Sequence, residues 1–237
     1  MSARARQSLV WLPLGILLLV GAAANLVPFL WTLSTSLKVP SQVFAYPPTW
    51  IPHPIKWGNY RLAFDQVGGR AFLNSLIFAG SIVILQGLVT TMGGFAFARL
   101  RFPFRDQLFL LYLGTMMIPP QVTMIPTFIV VVKLHWINTY QGLIIPVVAQ
   151  GAFGTFMFRQ FFLKIPNEIY ESARLDGANP IQLYWRLTLP LSRPVLTAYG
   201  VITFLSAWNM YLWPLIVVRS DRLTVVPMAI AQMSGVT

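Results

Sequence analysis

The sequence has no cysteine, only two histidines and only six acidic residues in 237. Without cysteine there is neither a disulfide nor a thiolate metal site, and the redox compartment stays undetermined. His53 lies in "PHP" and His135 beside Trp136. Neither has a second histidine at metal-ligand spacing, so no metal site is expected. Charge of both signs is scarce: Asp, Glu, Lys and Arg make up 10% of the chain, against about 25% in a soluble globular domain. No G-x-x-x-x-G-K-[ST] loop exists, because none of Lys38, Lys56, Lys133 and Lys164 follows a glycine. The chain therefore has no P-loop of its own with which to bind and split ATP. No nucleophile–base set stands out, which argues against a membrane-embedded enzyme. No acidic pair lies inside an apolar run, which argues against a proton- or ion-driven carrier or channel, since these place ionisable groups in the membrane. Any uphill transport must draw its energy from a partner.

What the chain has is apolar length: 56% of it is hydrophobic. Five runs carry no Asp, Glu, Lys or Arg: 7–37, 71–98, 107–132, 134–158 and 194–218. Each exceeds the roughly 20 residues with which a helix crosses about 30 Å of hydrocarbon. Backbone in lipid must satisfy itself, so the runs predict an all-α membrane protein with spans over 9–33, 71–96, 107–131, 140–162 and 195–218. The "GAAAN" after the first arginines resembles a cleavage site. The apolar run continues past it to Leu37, however, whereas a signal-peptide core takes about 7–15 residues. An uncleaved first span is the expectation.

The net charge of +11 would point to nucleic acid on a soluble protein. Here the basic residues lie between spans and read as topology, so no nucleic acid is expected and membrane lipid is the surrounding medium. Ten of the seventeen Lys and Arg fall on one side, in the N-terminal tail, the loop of Arg99, Arg101 and Arg105, and the loop 159–193. Positive-inside asymmetry makes that side cytoplasmic, N-terminus included. The segment 38–70 is then external. Pro40, Pro47, Pro48, Pro52 and Pro54 deny regular structure to its first half, and Trp50, Trp57 and Tyr60 suit the membrane interface or an external protein. Five spans leave the C-terminus outside, and the residues after Arg222 are too few to cross. The chain reads as one membrane domain over 1–237 that stops short of a final helix.

Three spans carry prolines: Pro119, Pro120 and Pro126 in the third, Pro146 in the fourth, Pro214 in the fifth. Interrupted helices fit a pathway, where irregular backbone lines a wet cavity. They equally fit a kinked bundle. In the fifth, "SAWNMYLWPLIVV" sets Asn209 among Trp208, Tyr211 and Trp213, an amide with aromatic faces of the kind that binds a sugar. Interhelical hydrogen bonding by Asn209 is the competing reading.

One stretch breaks the pattern. "ESARLDGANPIQLYWRLTLP", with Glu168 before it and Arg193 after it, concentrates charge in an otherwise apolar chain. Pro166 suits a first helical turn, and Glu168 and Glu171 favour the positive end of the helix dipole. Ile165, Ile169 and Ala173 form one apolar stripe. Gly177 is placed to stop the helix with a left-handed residue. Asn179 and Pro180 then cap and open a second short helix over 181–187, and Pro190 and Pro194 punctuate its exit. The unit over 163–193 is either an amphipathic loop on the headgroups or a rigid knob for a groove on another protein.

The spacing Glu171-Ser172-Ala173, three residues, Gly177, nine residues, Leu187, one residue, Leu189-Pro190 resembles the cytoplasmic signature of permease subunits of ATP-binding-cassette importers. Ser172 stands where that signature has Ala, and Leu187 where it has Ile. Asp176-Gly177-Ala178 is similar to a common variant. "WGNYRLAF", "FLNSLIFA", "FARLRFPFRD" and "FLSAWNMYLWPLIV" are similar to the maltose-type carbohydrate branch, and the likeness runs from Arg4 to Thr237. The resemblance implies a type I importer permease fold. It implies ATP and Mg bound by two cytoplasmic ATPase subunits, a second permease subunit and an external solute-binding protein. Glu171, Ser172, Ala173, Asp176, Gly177, Ala178, Leu187, Leu189 and Pro190 would couple to the ATPases, and Trp208, Asn209, Tyr211 and Trp213 are candidates for the solute path. A sugar or polyol is the expected cargo. A phosphorylated glycerol, or less so an amino acid or polyamine, is the alternative.

Overall fold

The computed structural model describes residues 3–233 and 235, with residues 3–10 and 12 described by backbone alone. Helices make up nearly all of its regular structure, and there is no strand among the described residues. The chain divides into two compact units, Met1–Gln66 and Val67–Thr237.

The first unit is built on α1, Ala3–Ser36, which passes through Pro13 and Pro28 without stopping. Its apolar side chains, Leu17, Leu19 and Phe29 among them, are exposed, as a lipid solvent permits. After the short α2, Pro40–Val43, the proline-rich stretch is irregular until α3, Gly58–Val67. The side chain of Asn59 donates to the carbonyls of Ser36 and Lys38 at 2.9 and 2.8 Å, meeting acceptors that the end of α1 leaves open. Lys38 is buried, with its ammonium 4.0 Å above the ring of Trp31. Trp50 meets that same ring edge-on.

The second unit is organised around α4, Gly69–Arg99. Next come α5, Arg105–Gly114, a 3₁₀ turn at Thr115–Met117, and α6, Pro120–Lys133. The 107–131 stretch is therefore two helices, and Arg105–Met117 meets Pro120–Lys133 at 100°. The break falls at Pro119–Pro120, whereas Pro126 lies inside α6. The 140–162 stretch forms α7, Tyr140–Val148, and α8, Ala152–Leu163, bent by 45°. Pro146 sits within α7, and the bend comes after it. Among the described residues, Pro13–Ser36 and Gly69–Arg99 are each long and apolar enough to cross a membrane, and each bent pair qualifies when taken as one span. The 195–218 stretch divides into α12, Arg193–Trp208, and α13, Leu212–Val217. After a 3₁₀ turn at Asp221–Leu223, the described chain closes with α14, Val226–Met233.

Two apolar clusters lie along α4. Toward its start, Phe78, Ala79 and Ile82 pack with Leu143, Trp213 and Val217. Toward its end, Phe95 and Ala98 pack with Phe158, Phe162, Tyr170, Tyr184 and Tyr199. Helix α8 approaches closely because Gly94 has no side chain: a Cβ there would lie 2.7 Å from the Cβ of Phe158 and 3.0 Å from the amide nitrogen of Arg159. Small residues at such crossings let lipid-embedded helices pack by van der Waals contact. Buried polar groups complete the joints. Asn74 donates to the carbonyls of Arg222 and Thr224, both at 2.9 Å, and accepts from the Tyr140 hydroxyl at 2.8 Å. Gln86 donates to the carbonyl of Val147 at 2.9 Å and accepts from the Tyr199 hydroxyl at 2.9 Å. Val147 lies in the last turn of α7, and its carbonyl also receives the amide of Gln150 at 3.1 Å. Gln86 thereby supports the backbone where the α7–α8 pair is interrupted.

Candidate functional site

The polar loop folds as the turn chemistry predicts. Helix α9, Asn167–Leu175, ends on Asp176, and Gly177 follows with φ +83°. The amide of Ala178 bonds to the carbonyl of Ala173 at 2.9 Å, and the amide of Gly177 to that of Arg174 at 3.0 Å. This pair of bonds is the Schellman closure, which a left-handed glycine permits without strain. Asn179 then caps α10, Pro180–Gln182: its side chain accepts from the amide of Gln182, and the side chain of Gln182 accepts from the amide of Asn179, both at 2.9 Å. The second helix does not stop at Leu187. It widens into a π-helical turn over Leu183–Thr188 and runs on through α11, Leu189–Leu191. Pro190 lies inside that run instead of ending it. The wide turn accommodates it, since proline returns no N–H and its ring crowds the carbonyl four residues back.

Which side chains face outward corrects the expected stripe. Tyr170 is the buried residue of α9, and Ile169 is exposed. Of the nine residues singled out, Glu171, Ser172, Asp176, Gly177 and Pro190 are exposed. Ala173, Ala178, Leu187 and Leu189 pack beneath them on the cluster around Phe158 and Tyr184. The tip is apolar as well as charged: Leu175 is 89% exposed and Ile181 70%.

Three joints fix this knob to the rest of its unit. The Tyr170 hydroxyl pairs with the Thr188 hydroxyl at 3.0 Å, tying the two halves together. The Tyr184 hydroxyl pairs with that of Thr91 on α4 at 2.7 Å, and burial pushes the Tyr184 phenol above its ordinary pKa, so it stays protonated. The third joint is Arg99, at the end of α4. Its guanidinium donates to the carbonyls of Phe162 and Ile165 and to the side chain of Asn167, and it lies over the Tyr170 ring. In the sequence Arg99 counts only toward the topological charge. Its partners lie more than sixty residues away, so no local pattern reveals them. Beside it, Arg159 bonds to Asp106 at 3.3 Å and stacks on Phe109. The hydrogen-bonded Arg105 guanidinium, aided by Arg159, holds the exposed Asp106 carboxyl below its ordinary pKa.

The four aromatic and amide candidates do not converge. Asn209 is exposed at the end of α12 and donates to the carbonyl of Leu205 in its own helix at 2.8 Å. Trp208 stacks on Phe204, and Tyr211 is half-buried against the core. Trp213 is buried, with its indole N–H on the carbonyl of Leu143 at 3.1 Å. It lines a cleft, a space of ≈ 140 Å³ bounded by Gln121, Pro146, Gln150 and Met210 among others. A second cleft of ≈ 180 Å³ shares Val147, Gln150 and Met210 with the first and adds Gln86, Thr203 and Ser206. Among the described residues no group of three or more His, Asp or Glu side chains is placed to hold a metal ion.

Residues 90–236 match a family described as binding-protein-dependent transport system inner membrane component. The chain is 36% identical over 215 residues to the sn-glycerol-3-phosphate transport system permease protein UgpE of Pectobacterium atrosepticum, covering 88% of this chain and 76% of that one. It is 37% identical over 209 residues to UgpE of Yersinia pestis, covering 85% and 74%. Its fold matches a solved bacterial ABC transporter involved in the import of the acidic polysaccharide alginate, with TM-score 0.82, 22% identity, and coverage of 98% of this chain and 81% of that one.

Proposed function

The chain belongs to the family of binding-protein-dependent transport system inner membrane components, and from that premise we propose how it works as the permease subunit of an ABC importer. The 163–193 knob faces the cytoplasm, together with the N-terminus, and seats in a groove on an ATPase subunit. Glu171, Ser172, Asp176, Gly177 and Pro190 meet the partner. Ala173, Ala178, Leu187 and Leu189 hold the knob to the bundle. ATP and Mg are bound by the ATPases, a second permease subunit completes the translocation unit, and an external solute-binding protein delivers cargo. The stretches 9–33, 71–96, 107–131, 140–162 and 195–218 cross the membrane, with 38–70 outside. ATP-driven approach of the ATPases pulls the knob, and the bundle rocks between inward- and outward-open states.

The observation that carries this reading is the pairing of an exposed tip with a rigid base. Leu175, Asp176 and Gly177 protrude, while Arg99 and the Thr91–Tyr184 bond hold the base to α4. A contact that transmits force is better served by preorganisation than by area. Gly177→Leu tests it. Leucine opposes the left-handed turn, so binding-protein-stimulated ATP hydrolysis persists in the reconstituted transporter while uptake falls. Unchanged uptake rejects the coupling role.

The cargo we propose is a sugar or related polyol. A glycerol phosphate is the second reading, favoured by the 36–37% identity to permeases named for sn-glycerol-3-phosphate. Uptake of each labelled solute, with the binding protein supplied, separates the two.

A further inference from the structure

The two clefts described above meet at the interruption between α7 and α8, because Val147, Gln150 and Met210 line both. They therefore form one groove running from Gln121, at the start of α6, past Gln150 to Ser206 on α12. The side chains of Gln121, Gln150 and Ser206 are exposed, and none of the three is hydrogen-bonded among the described residues. Each lies in a stretch without charge, and Gln150 lies in a helix pair apolar enough to span as one unit. A primary amide facing hydrocarbon with no partner is unfavourable, and irregular backbone at membrane depth persists where it lines water or is buried in protein. The carbonyl of Val147 already receives the amide of Gln150 at 3.1 Å and the side chain of Gln86 at 2.9 Å, so the side chain of Gln150 is not needed to close the helix end. Its donor and acceptor remain free for something that passes.

The chemistry of the lining limits what that is. Neither cleft has a Lys, Arg, His, Asp or Glu in its wall. Amides and hydroxyls offer donors and acceptors in equal measure, the complement of a carbon skeleton bearing neighbouring hydroxyls. They offer nothing to neutralise a phosphate or an ammonium group. We propose that the groove along the α7–α8 interruption is this chain's share of the solute path, with Gln150 and Ser206 contacting the hydroxylated face of the cargo. This rests on the import reading given above. The shared chemistry is a vicinal hydroxyl surface, found on a sugar, on a polyol and on the glycerol end of a glycerol phosphate. If the cargo carries a phosphate, its charge is met outside this groove.

The absence of cysteine from the chain supplies the test. Gln150→Cys and Ser206→Cys are introduced singly, with Val201→Cys as the control: Val201 is 54% exposed on α12 and lines an entirely apolar depression. The assembled transporter in proteoliposomes is treated with a charged, water-borne methanethiosulfonate, and modification of this chain is read by mass. Positions 150 and 206 should react roughly tenfold faster than 201, because only the groove admits water. Sucrose, glycerol and sn-glycerol 3-phosphate, each supplied with binding protein and ATP, separate the sources: the one that is imported should slow the reaction. Protection by the phosphate ester alone retains the hydroxyl contact and assigns the charge to another subunit. In a parallel arm, Gln150→Leu raises the KM for uptake about fivefold, the equivalent of one lost hydrogen bond, with kcat little changed.

Reactivity at 150 and 206 no greater than at 201 means that lipid or a neighbouring subunit fills the groove, and overturns the proposal. So does fast modification that no imported solute slows. Uptake by the unmutated transporter is measured alongside. Its presence with either negative result removes the groove and leaves the import reading standing, whereas its absence counts against the import reading itself.

Discussion

The guanidinium of Arg99 lies over the ring of Tyr170, 4.2 Å from its centroid. The same group reaches the carbonyls of Phe162, in the last turn of α8, and of Ile165, just past it; the Phe162 carbonyl also receives the amide of Ile165 at 3.2 Å. A cation at that end also meets the negative pole of the helix. One side chain thus binds the ends of α4 and α8 to the beginning of α9.

Arg99→Met removes that joint and takes the charged donor from both carbonyls at a partly buried site. A loss of about 2–3 kcal/mol in stability is expected, the range for hydrogen bonds to charged groups. Arg99→Lys, which keeps the charge but not the fork, should recover part of it. Thermal unfolding in detergent measures the stability. The ratio of ATP hydrolysed to solute imported measures the coupling, and it should rise for Met more than for Lys. An unchanged ratio in a folded Met variant removes Arg99 from transmission.

Asn179→Ala removes one half of the reciprocal cap with Gln182. Such losses cost about 1 kcal/mol, and here the effect is confined to the entry of the second knob helix. Hydrogen exchange should accelerate over 179–183 and stay unaltered in α4. Equal acceleration in both would show that the knob does not open separately.

Gly94→Val forces a branched side chain into the α4–α8 crossing, where even a Cβ meets Phe158 and backbone. Overpacking of this kind costs typically 1–3 kcal/mol or more. Gly80→Ala, on the same helix with nothing within 4 Å of the added Cβ, should be neutral or gain up to about 1 kcal/mol from helix propensity. Melting of the purified chain distinguishes them, and two similar values would mean that the crossing is not close-packed.

Acid should act through Asp106. Its folded pKa lies below the ordinary 3.8 because of the hydrogen bond from Arg105, with Arg159 adding to it. The stabilisation is therefore complete above the ordinary value and is lost as pH falls through the lower, folded one. Asp106→Asn should unfold with a shallower acid limb by tryptophan fluorescence, and the gap between the two proteins should stay constant from neutral pH down to about 5. A gap that closes in the neutral range would contradict the assignment.

The knob was legible in the sequence because its determinants are local. Gly177, Asn179 and Pro180 act on backbone within a few residues, and the structure places each in the turn predicted for it. The helical stretches were legible because charge-free runs of sufficient length leave lipid-embedded backbone little choice. The interruptions were less so. Pro119–Pro120 breaks the chain as expected, but Pro126 and Pro146 sit inside helices. Pro214 occupies the first turn of α13, where an N–H would have no helical partner anyway. The break near 150 falls at Gly151 and the one near 209 at Asn209, single residues that mark a helix end only weakly. Tyr170 displaced Ile169 from the buried face because α9 is oriented by Arg99 and Thr188, contacts that periodicity cannot reveal. The groove was illegible for a similar reason: Gln121, Gln150 and Ser206 are unremarkable singly, and they come from α6, from the break between α7 and α8, and from α12.

The π-helical turn at Leu183–Thr188 is a surplus residue held in the midst of a helix. One residue of an α-helix corresponds to about 100° of rotation about the axis. With the knob's base anchored on α4, excising a single residue there would swivel everything downstream, carrying Tyr199 off Gln86 and swinging Ser206 out of line with Gln150. Residue count in this short bridge, as much as any side chain, sets which way the final long helix looks.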